Sequence, residues 1–364
     1  MKSIHYLTAT MLCFAVLSCS DKSTTPDQPP LTSGTYILNN GNWGSNDANI
    51  GIYDPATKHF SPDVFHANNT GYMLGDLGQD IILHGGDLYI AVNGSDLIWK
   101  TDTELHGKEL IGTSDAFGRL SPRSFASCGA KLYATYDEGY VGEVTSGELK
   151  PTNTSIGVFA VNKICKVGSN PDGIAVAGEN LYVANSGGLS YPNYDKTVSV
   201  VSIASFTETS RIEVNINPTR VEASSDGAYV YVSSFGNYAD VPAKLQVIET
   251  ASGEVTNLQY SSVSSIAKGK NDILYILCGG YDENWNPLPG TVYKHNMKTN
   301  QPLGKFVTDG TTLPEAYSIS AARDGYIYVG CSDYTTNGDV YVFTPEGKLH
   351  DKFDSQGLNP LKAY

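Results

Sequence analysis

The residue types that carry out covalent chemistry are thinly spread along this 364-residue chain. Beyond the N-terminal segment the histidines are His59, His66, His84, His106, His295 and His350. Only His66 falls in a segment expected at the binding face defined below. Asp76 and Asp80 follow it, but without the arrangement of a Ser/His/Asp triad or a metal–histidine set. As single groups they suit solvated or turn-capping positions. Cys128, Cys165, Cys278 and Cys331 are too far apart in sequence for a zinc site. The acidic loop residues Asp137, Asp282, Glu283 and Asp333 show no EF-hand or calcium-repeat spacing. No catalytic group, metal or cofactor is therefore expected, and the chain reads as a non-enzyme.

Recognition chemistry is plentiful instead. Loop segments carry Asn40, Asn42, Trp43, Asn93, Tyr136, Asn185, Tyr191, Tyr194, Phe235, Tyr238, Tyr281, Trp285, Asp333 and Tyr334. Rigid aromatics mixed with adaptable amides make a recognition surface. Several of them at one mouth suit a sizeable flat or ring-bearing small molecule. The alternative is that Tyr and Trp pack between elements while Asn and Gly make turns.

The elements that must position these loops repeat. Tyr36, Tyr89, Tyr133, Tyr182, Tyr231, Tyr275 and Tyr328 open similar short apolar phrases, spaced 53, 44, 49, 49, 44 and 53 residues apart. Strand-like units with a period in the high forties predict an all-β, seven-bladed β-propeller with four-stranded antiparallel blades. Residues 170–216 illustrate one blade: a turn at Asn170-Pro171-Asp172-Gly173, then strands at Ile174–Ala177, Leu181–Ala184, Val198–Ile203 and Arg211–Val214. The loops joining second to third strands, and those joining blades, share one face of such a ring. That face carries the aromatic and amide residues above, with His66, Asn68, Asn69, Tyr72, Asp76, Phe117, Arg119 and Tyr317 from the blade junctions. The first repeat enters at Tyr36 without a preceding strand, whereas Asn359-Pro360 at the C-terminus matches Asn170-Pro171 and Asn217-Pro218. The C-terminal strand is thus expected to complete the N-terminal blade and remove two free sheet edges.

The net charge of −14 argues against nucleic acid or an anionic membrane surface as a partner. Lys2 and the apolar run Ile4–Leu17 read as a targeting segment. Val16-Leu17-Ser18-Cys19 resembles the lipobox of bacterial lipoproteins. That resemblance implies a signal peptide over residues 1–18, a lipidated Cys19 as the sole membrane attachment, and export to the outer membrane. A plain secretory signal is the alternative. Residues 19–33 are rich in Pro, Thr and Asp and suit a flexible tether, leaving residues 34–364 for the propeller.

Tyr182-Val183-Ala184-Asn185 is close to the tetrapeptide that names the YVTN/YncE-like seven-bladed propellers, and the chain resembles that family. It is more closely similar to surface-layer-type propeller lipoproteins of gut Gram-negative anaerobes. The segments that carry this resemblance are Asn39–Trp43, Tyr53–Thr57, Leu74-Gly75-Asp76 with Gln79-Asp80, and Asp333-Tyr334 through Thr344–Leu349. That group includes the BtuG-type proteins. The resemblance implies a cell-surface protein that captures a large nutrient, with cobalamin as the leading candidate, and hands it to a TonB-dependent outer-membrane transporter. A glycan- or protein-binding adhesion propeller without a transporter is the alternative.

Overall fold

The computed structural model describes residues 34–112, 114–115, 118–119, 121–145, 161–281 and 287–364. The expected signal peptide, Cys19, the tether, Phe117 and Trp285 lie outside the described residues, as does the side chain of Tyr281.

The described chain forms seven four-stranded sheets, each with antiparallel neighbours. In order from the channel outwards, blade I consists of Pro360–Ala363, Thr35–Asn39, Asn49–Asp54 and His59–Ser61. Blade IV consists of Pro171–Ala177, Asn180–Asn185, Thr197–Ser202 and Thr207–Glu213. The innermost strands of the others are Gly78–His84 (II), Pro122–Cys128 (III), Pro218–Ala223 (V), Val263–Lys268 (VI) and Ala316–Ala321 (VII). A two-stranded pair, Ser114–Asp115 with Gly118–Arg119, lies between blades II and III. The outer strand of blade IV starts at Thr207 rather than Arg211, because the exposed polar run Thr207–Ser210 carries no apolar alternation to announce it.

Each repeated tyrosine is buried. It packs against the following blade, so the seven apolar clusters are the seven blade interfaces. Tyr133 stacks on Phe206 of blade IV, with ring centroids 5.8 Å apart. Tyr328 meets Tyr53 of blade I edge-on at 6.1 Å. Buried phenols need partners. Tyr231 Oη donates to the Met297 carbonyl at 3.0 Å, and Tyr328 Oη donates to Asp324 at 2.6 Å. Cys165, Cys278 and Cys331 are free thiols, so the matched positions of the last two mark small buried residues and not a bridge.

The ring closes as the sequence predicts. Pro360–Ala363 pairs with Thr35–Asn39, with Ile37 opposite Ala363 and Leu38 opposite Lys362. Asn359 locks the joint. Its Nδ2 donates to the Gly41 carbonyl at 2.9 Å, and its Oδ1 accepts from Ser332 Oγ at 2.6 Å. This one buried amide therefore ties blade VII to blade I.

One backbone device recurs seven times. The residue before each innermost strand has a positive φ: Leu77, Ser121, Asn170, Asn217, Ser262, Glu315 and Asn359, between 42° and 60°. Its carbonyl accepts a backbone N–H from the start of that blade's second-to-third-strand loop: Asn93, Asp137, Ser186, Phe235, Gly279, Ser332 and Asn40, at 2.9–3.2 Å. Asn tolerates this left-handed conformation, whereas a leucine or glutamate there costs roughly 1–2 kcal/mol.

Two outcomes are expected. Glu315→Asn should relieve that strain and raise the melting temperature by about 2 °C, measured by calorimetry. A chain ending at Lys348 loses the closing strand and exposes two sheet edges. It should show no cooperative unfolding transition, and a melt like that of the full chain would refute the closure account.

Candidate functional site

The positive-φ joint determines what faces the channel. After the first residue of every innermost strand the register shifts by a bulge. A bulge leaves a residue unpaired and re-aims its side chain. The residues released are Gln79, Arg123, Asp172, Thr219, Ser264, Tyr317 and Leu361, one from each blade. All seven line a single cavity of about 690 Å³ at the channel mouth. The mouth loops and the seven bulges together make a cup.

The floor of the cup is polar and asymmetric. Arg123 Nη2 donates to Asp172 Oδ2 at 2.9 Å, and its Nε stands 3.7 Å from Asp137 Oδ1. Burial alone would lower the Arg123 pKa, but the two carboxylates outweigh it and hold the guanidinium charged. Burial would likewise raise Asp172, but Arg123 and Arg220 keep its carboxyl below the usual range. Asp137 behaves oppositely: burial lifts it above that range against the pull of Arg123 and a 2.8 Å hydrogen bond from Asn93. Arg220 approaches Asp172 no closer than 3.9 Å and makes no side-chain hydrogen bond among the described residues, so its guanidinium donors face the cup. Tyr317, from the opposite side, lies within electrostatic range of both arginines, and burial keeps its hydroxyl protonated. Behind this layer Lys362 pairs with Asp80, whose Oδ2 also accepts from the Phe125 amide at 2.8 Å.

The rim is aromatic on two sides. Tyr191, Tyr194, Tyr238 and Phe235 form a chain of ring contacts with centroids 6.0–6.2 Å apart, running from blade IV to blade V. Tyr191 is 74% exposed and Tyr238 57%. Across the mouth, Tyr334 stands edge-on to Tyr317 at 5.6 Å and is 47% exposed. Between the two flanks, the described residues of blade VI that line the cup are Ser262, Val263, Ser264, Ser265, Gly279 and Gly280.

Of the residues expected from sequence to contact a ligand, Asn40, Phe235, Tyr238 and Tyr334 line the cup, and Tyr191 and Tyr194 extend its rim. Trp43 projects from the blade I mouth loop, 71% exposed. Asn42 supports the rim: its Nδ2 donates to the Tyr334 carbonyl at 3.3 Å and its Oδ1 accepts from Asn359. Asp333 caps its own turn, accepting from the Thr335 and Thr336 amides at 2.8 and 2.7 Å; these bonds hold its carboxyl far below the ordinary range.

Asn93, Tyr136 and Asn185, expected at the ligand-facing mouth, are instead buried inside the blades and do not line the cup. Asn93 donates to Asp137 and the Ser121 carbonyl. Asn185 donates to Thr197 and Ser199 and accepts from the Gly168 amide. Amides that satisfy backbone and hydroxyl groups in this way are structural joints. Asp80, expected in a solvated or capping role, is a buried wall residue instead. Asp76 does cap: its Oδ2 accepts from the Gly44 amide at 2.9 Å. His66 Nδ1 lies 3.1 Å from the Tyr72 carbonyl. No group of three or more metal-ligating side chains occurs among the described residues.

Gln79, Arg123, Asp172, Thr219, Ser264, Leu361 and Arg220 were not expected from sequence to contact a ligand, although all but Arg220 occupy one repeated position. The bulge residue directly follows the positive-φ residue and the first residue of the strand, as Asp172 follows Asn170-Pro171 and Thr219 follows Asn217-Pro218, so the Asn-Pro pair that marks the strand also points to the floor.

No family model matches the sequence, and no curated protein matches it. Solved structures do share the fold. A quinoprotein alcohol dehydrogenase-like protein from Bacteroides thetaiotaomicron VPI-5482 superposes with a TM-score of 0.59 at 13% identity, over 92% of this chain and 78% of that one. Kuenenia stuttgartiensis hydrazine synthase does so with a TM-score of 0.55 at 18% identity, over 76% and 81%. At these identities the likeness is one of fold, and the chain is a seven-bladed β-propeller.

Proposed function

We propose that this protein is a binding propeller that captures a sizeable, ring-bearing nutrient in the cup at its channel mouth. The observation that carries this is the pairing of opposites in one cavity: the guanidinium of Arg220 and the hydroxyl of Tyr317 on the floor, beneath exposed tyrosines on two flanks of the rim. Donors fixed by packing read acceptor groups on the ligand, and aromatic faces cover its flat surface with little loss of side-chain entropy.

A corrinoid is the leading candidate. Its flat macrocycle bears amide groups that suit both the donor-rich floor and the tyrosine rim, and the sequence segments similar to BtuG-type lipoproteins support the same choice. In this proposal Cys19 is the lipid anchor, the protein is displayed on the outer membrane, and a TonB-dependent transporter receives the ligand. A glycan is the second candidate, favoured by the presence of both Asp172 and Arg220 on the floor. A sugar hydroxyl donates as well as accepts, so such a pair can serve it in both directions.

Calorimetric titration of residues 34–364 with cyanocobalamin is expected to show one-to-one binding. Arg220→Ala should weaken it roughly 10- to 100-fold, the range for a hydrogen bond to a charged group, and should leave the melting temperature nearly unchanged. Asp172→Asn should do the reverse to stability: it leaves two guanidinium groups short of their counter-charge and should cost about 3 kcal/mol or more. Absence of both heat and thermal stabilisation would exclude the corrinoid. Saturable binding of an oligosaccharide that is lost in Arg220→Ala would then assign the cup to glycans.

A further inference from the structure

A second cavity leads out of the cup. It is a crevice of about 520 Å³ that runs outwards across blade VI, and Ser262 and Gly279 line both spaces. The crevice therefore opens into the cup at Ser262 and Gly279 of blade VI. Its character differs from that of the cup. Tyr260, Tyr293, Leu288, Pro289, Pro302 and Cys278 supply its apolar walls. No Asp, Glu, Lys, Arg or His is among its described lining residues, whereas Arg123, Asp172 and Arg220 line the cup. The Cys278 thiol and the Tyr260 hydroxyl are both pushed up to about 12 by burial and so stay neutral.

The crevice is also pre-formed. Tyr260 and Tyr293 pack at 5.5 Å with their planes tilted by 55°. The ring of Tyr260 is fixed from behind. His295 Nε2 lies 2.9 Å from Asn300 Oδ1, an acceptor, so Nε2 carries the proton. Nδ1 then accepts from the Tyr260 hydroxyl, at 3.1 Å. Tyr231 Oη, whose proton is shared with the Met297 carbonyl, lies 3.2 Å from the same Asn300 oxygen. An apolar slot whose aromatic wall is held by a buried hydrogen-bond chain needs little ordering when it fills.

We infer that this crevice is a second subsite, taking an uncharged planar group carried by the molecule whose body occupies the cup. The inference rests on the cup being a binding site, but its test is independent of that reading. A slot whose described lining residues are mainly apolar and carry no charge favours a neutral flat group and penalises an ionised one, which finds no counter-charge among them. Continuity through Ser262 and Gly279 lets one ligand enter both spaces, so the proposed ligand has two chemically distinct parts: a polar body and a flat apolar arm.

The test uses residues 34–364 and the neutral planar fluorophore N-phenyl-1-naphthylamine. Its emission should rise saturably with one site per chain. The anionic analogue 8-anilinonaphthalene-1-sulfonate should bind more weakly by about tenfold or more. Thr291→Trp, which fills the slot from the third strand of blade VI, and Pro302→Trp, on its exposed outer strand, should each weaken the neutral probe to a similar degree. Arg220→Ala and Tyr238→Ala, in the cup, should leave the neutral probe unaffected. Unchanged probe affinity in a folded Pro302→Trp protein would overturn the inference. So would equal affinity for the charged analogue, or loss of the neutral probe in the cup variants alone.

Discussion

The left-handed residue that precedes each innermost strand is the constraint on which the rest of the molecule depends. Positive φ is unfavourable for a side chain with a Cβ, yet the propeller adopts it seven times, at residues as ill-suited as Leu77 and Glu315. The conformation persists because it solves a problem in every blade. The joint must turn a peptide carbonyl towards the start of the neighbouring loop, where a buried N–H awaits a partner, and an unpaired buried donor costs about as much as the strain. With the joint set, the strand that follows begins out of register, the bulge appears, and one side chain per blade is turned into the channel. The ligand-facing floor is thus a consequence of backbone hydrogen bonding, and the sequence is free to choose only which seven side chains stand there.

That freedom separates scaffold from site. The repeated tyrosine, its apolar neighbours and the closing contacts of Asn359 serve the blade interfaces and the ring. Residue choice is tight at these positions because packing at near-crystalline density tolerates little change. The bulge positions carry no packing duty of that kind, and here they hold an amide, an arginine, a carboxylate, two hydroxyl residues, a tyrosine and a leucine. Charge is concentrated on blades III to V. There Arg123 is neutralised by Asp172 and Asp137, while Arg220 retains most of its donor capacity. The same fold is built by proteins with unrelated names, so any account of function must rest on this local pattern of side chains.

How much was legible in the sequence differs between fold and site. The tyrosine period exposed the blade count, and the recurrence of Asn-Pro at the C-terminus exposed the way the ring closes, because both are local features repeated at fixed positions. The rim was legible for the same reason: Tyr191, Tyr194, Phe235, Tyr238 and Tyr334 sit in loops whose length sets them apart. Asn93, Tyr136 and Asn185 share those residue types, but the side chain turns inwards and the amide or ring is taken up by neighbouring strands. Residue type alone does not distinguish these cases, nor does position alone, since Asn93 stands where Asn40 and Phe235 line the cup. Arg220 and Thr219 escaped notice because a bulge reverses the alternation by which inward and outward positions are counted. A one-residue register shift is invisible to a period-two pattern, and the floor of the cup consists mainly of residues released by such shifts, with Arg220 directly after one of them.

Hydrogen exchange with and without saturating cyanocobalamin tests the central claim most directly, since it asks which face of the ring meets the ligand. The account predicts slower exchange in the mouth loops 186–196, 235–243 and 332–338, with no change in the opposite-face turns 85–87, 225–227 and 323–325. Slowing confined to those opposite turns would place the ligand on the wrong face and contradict the cup as its site.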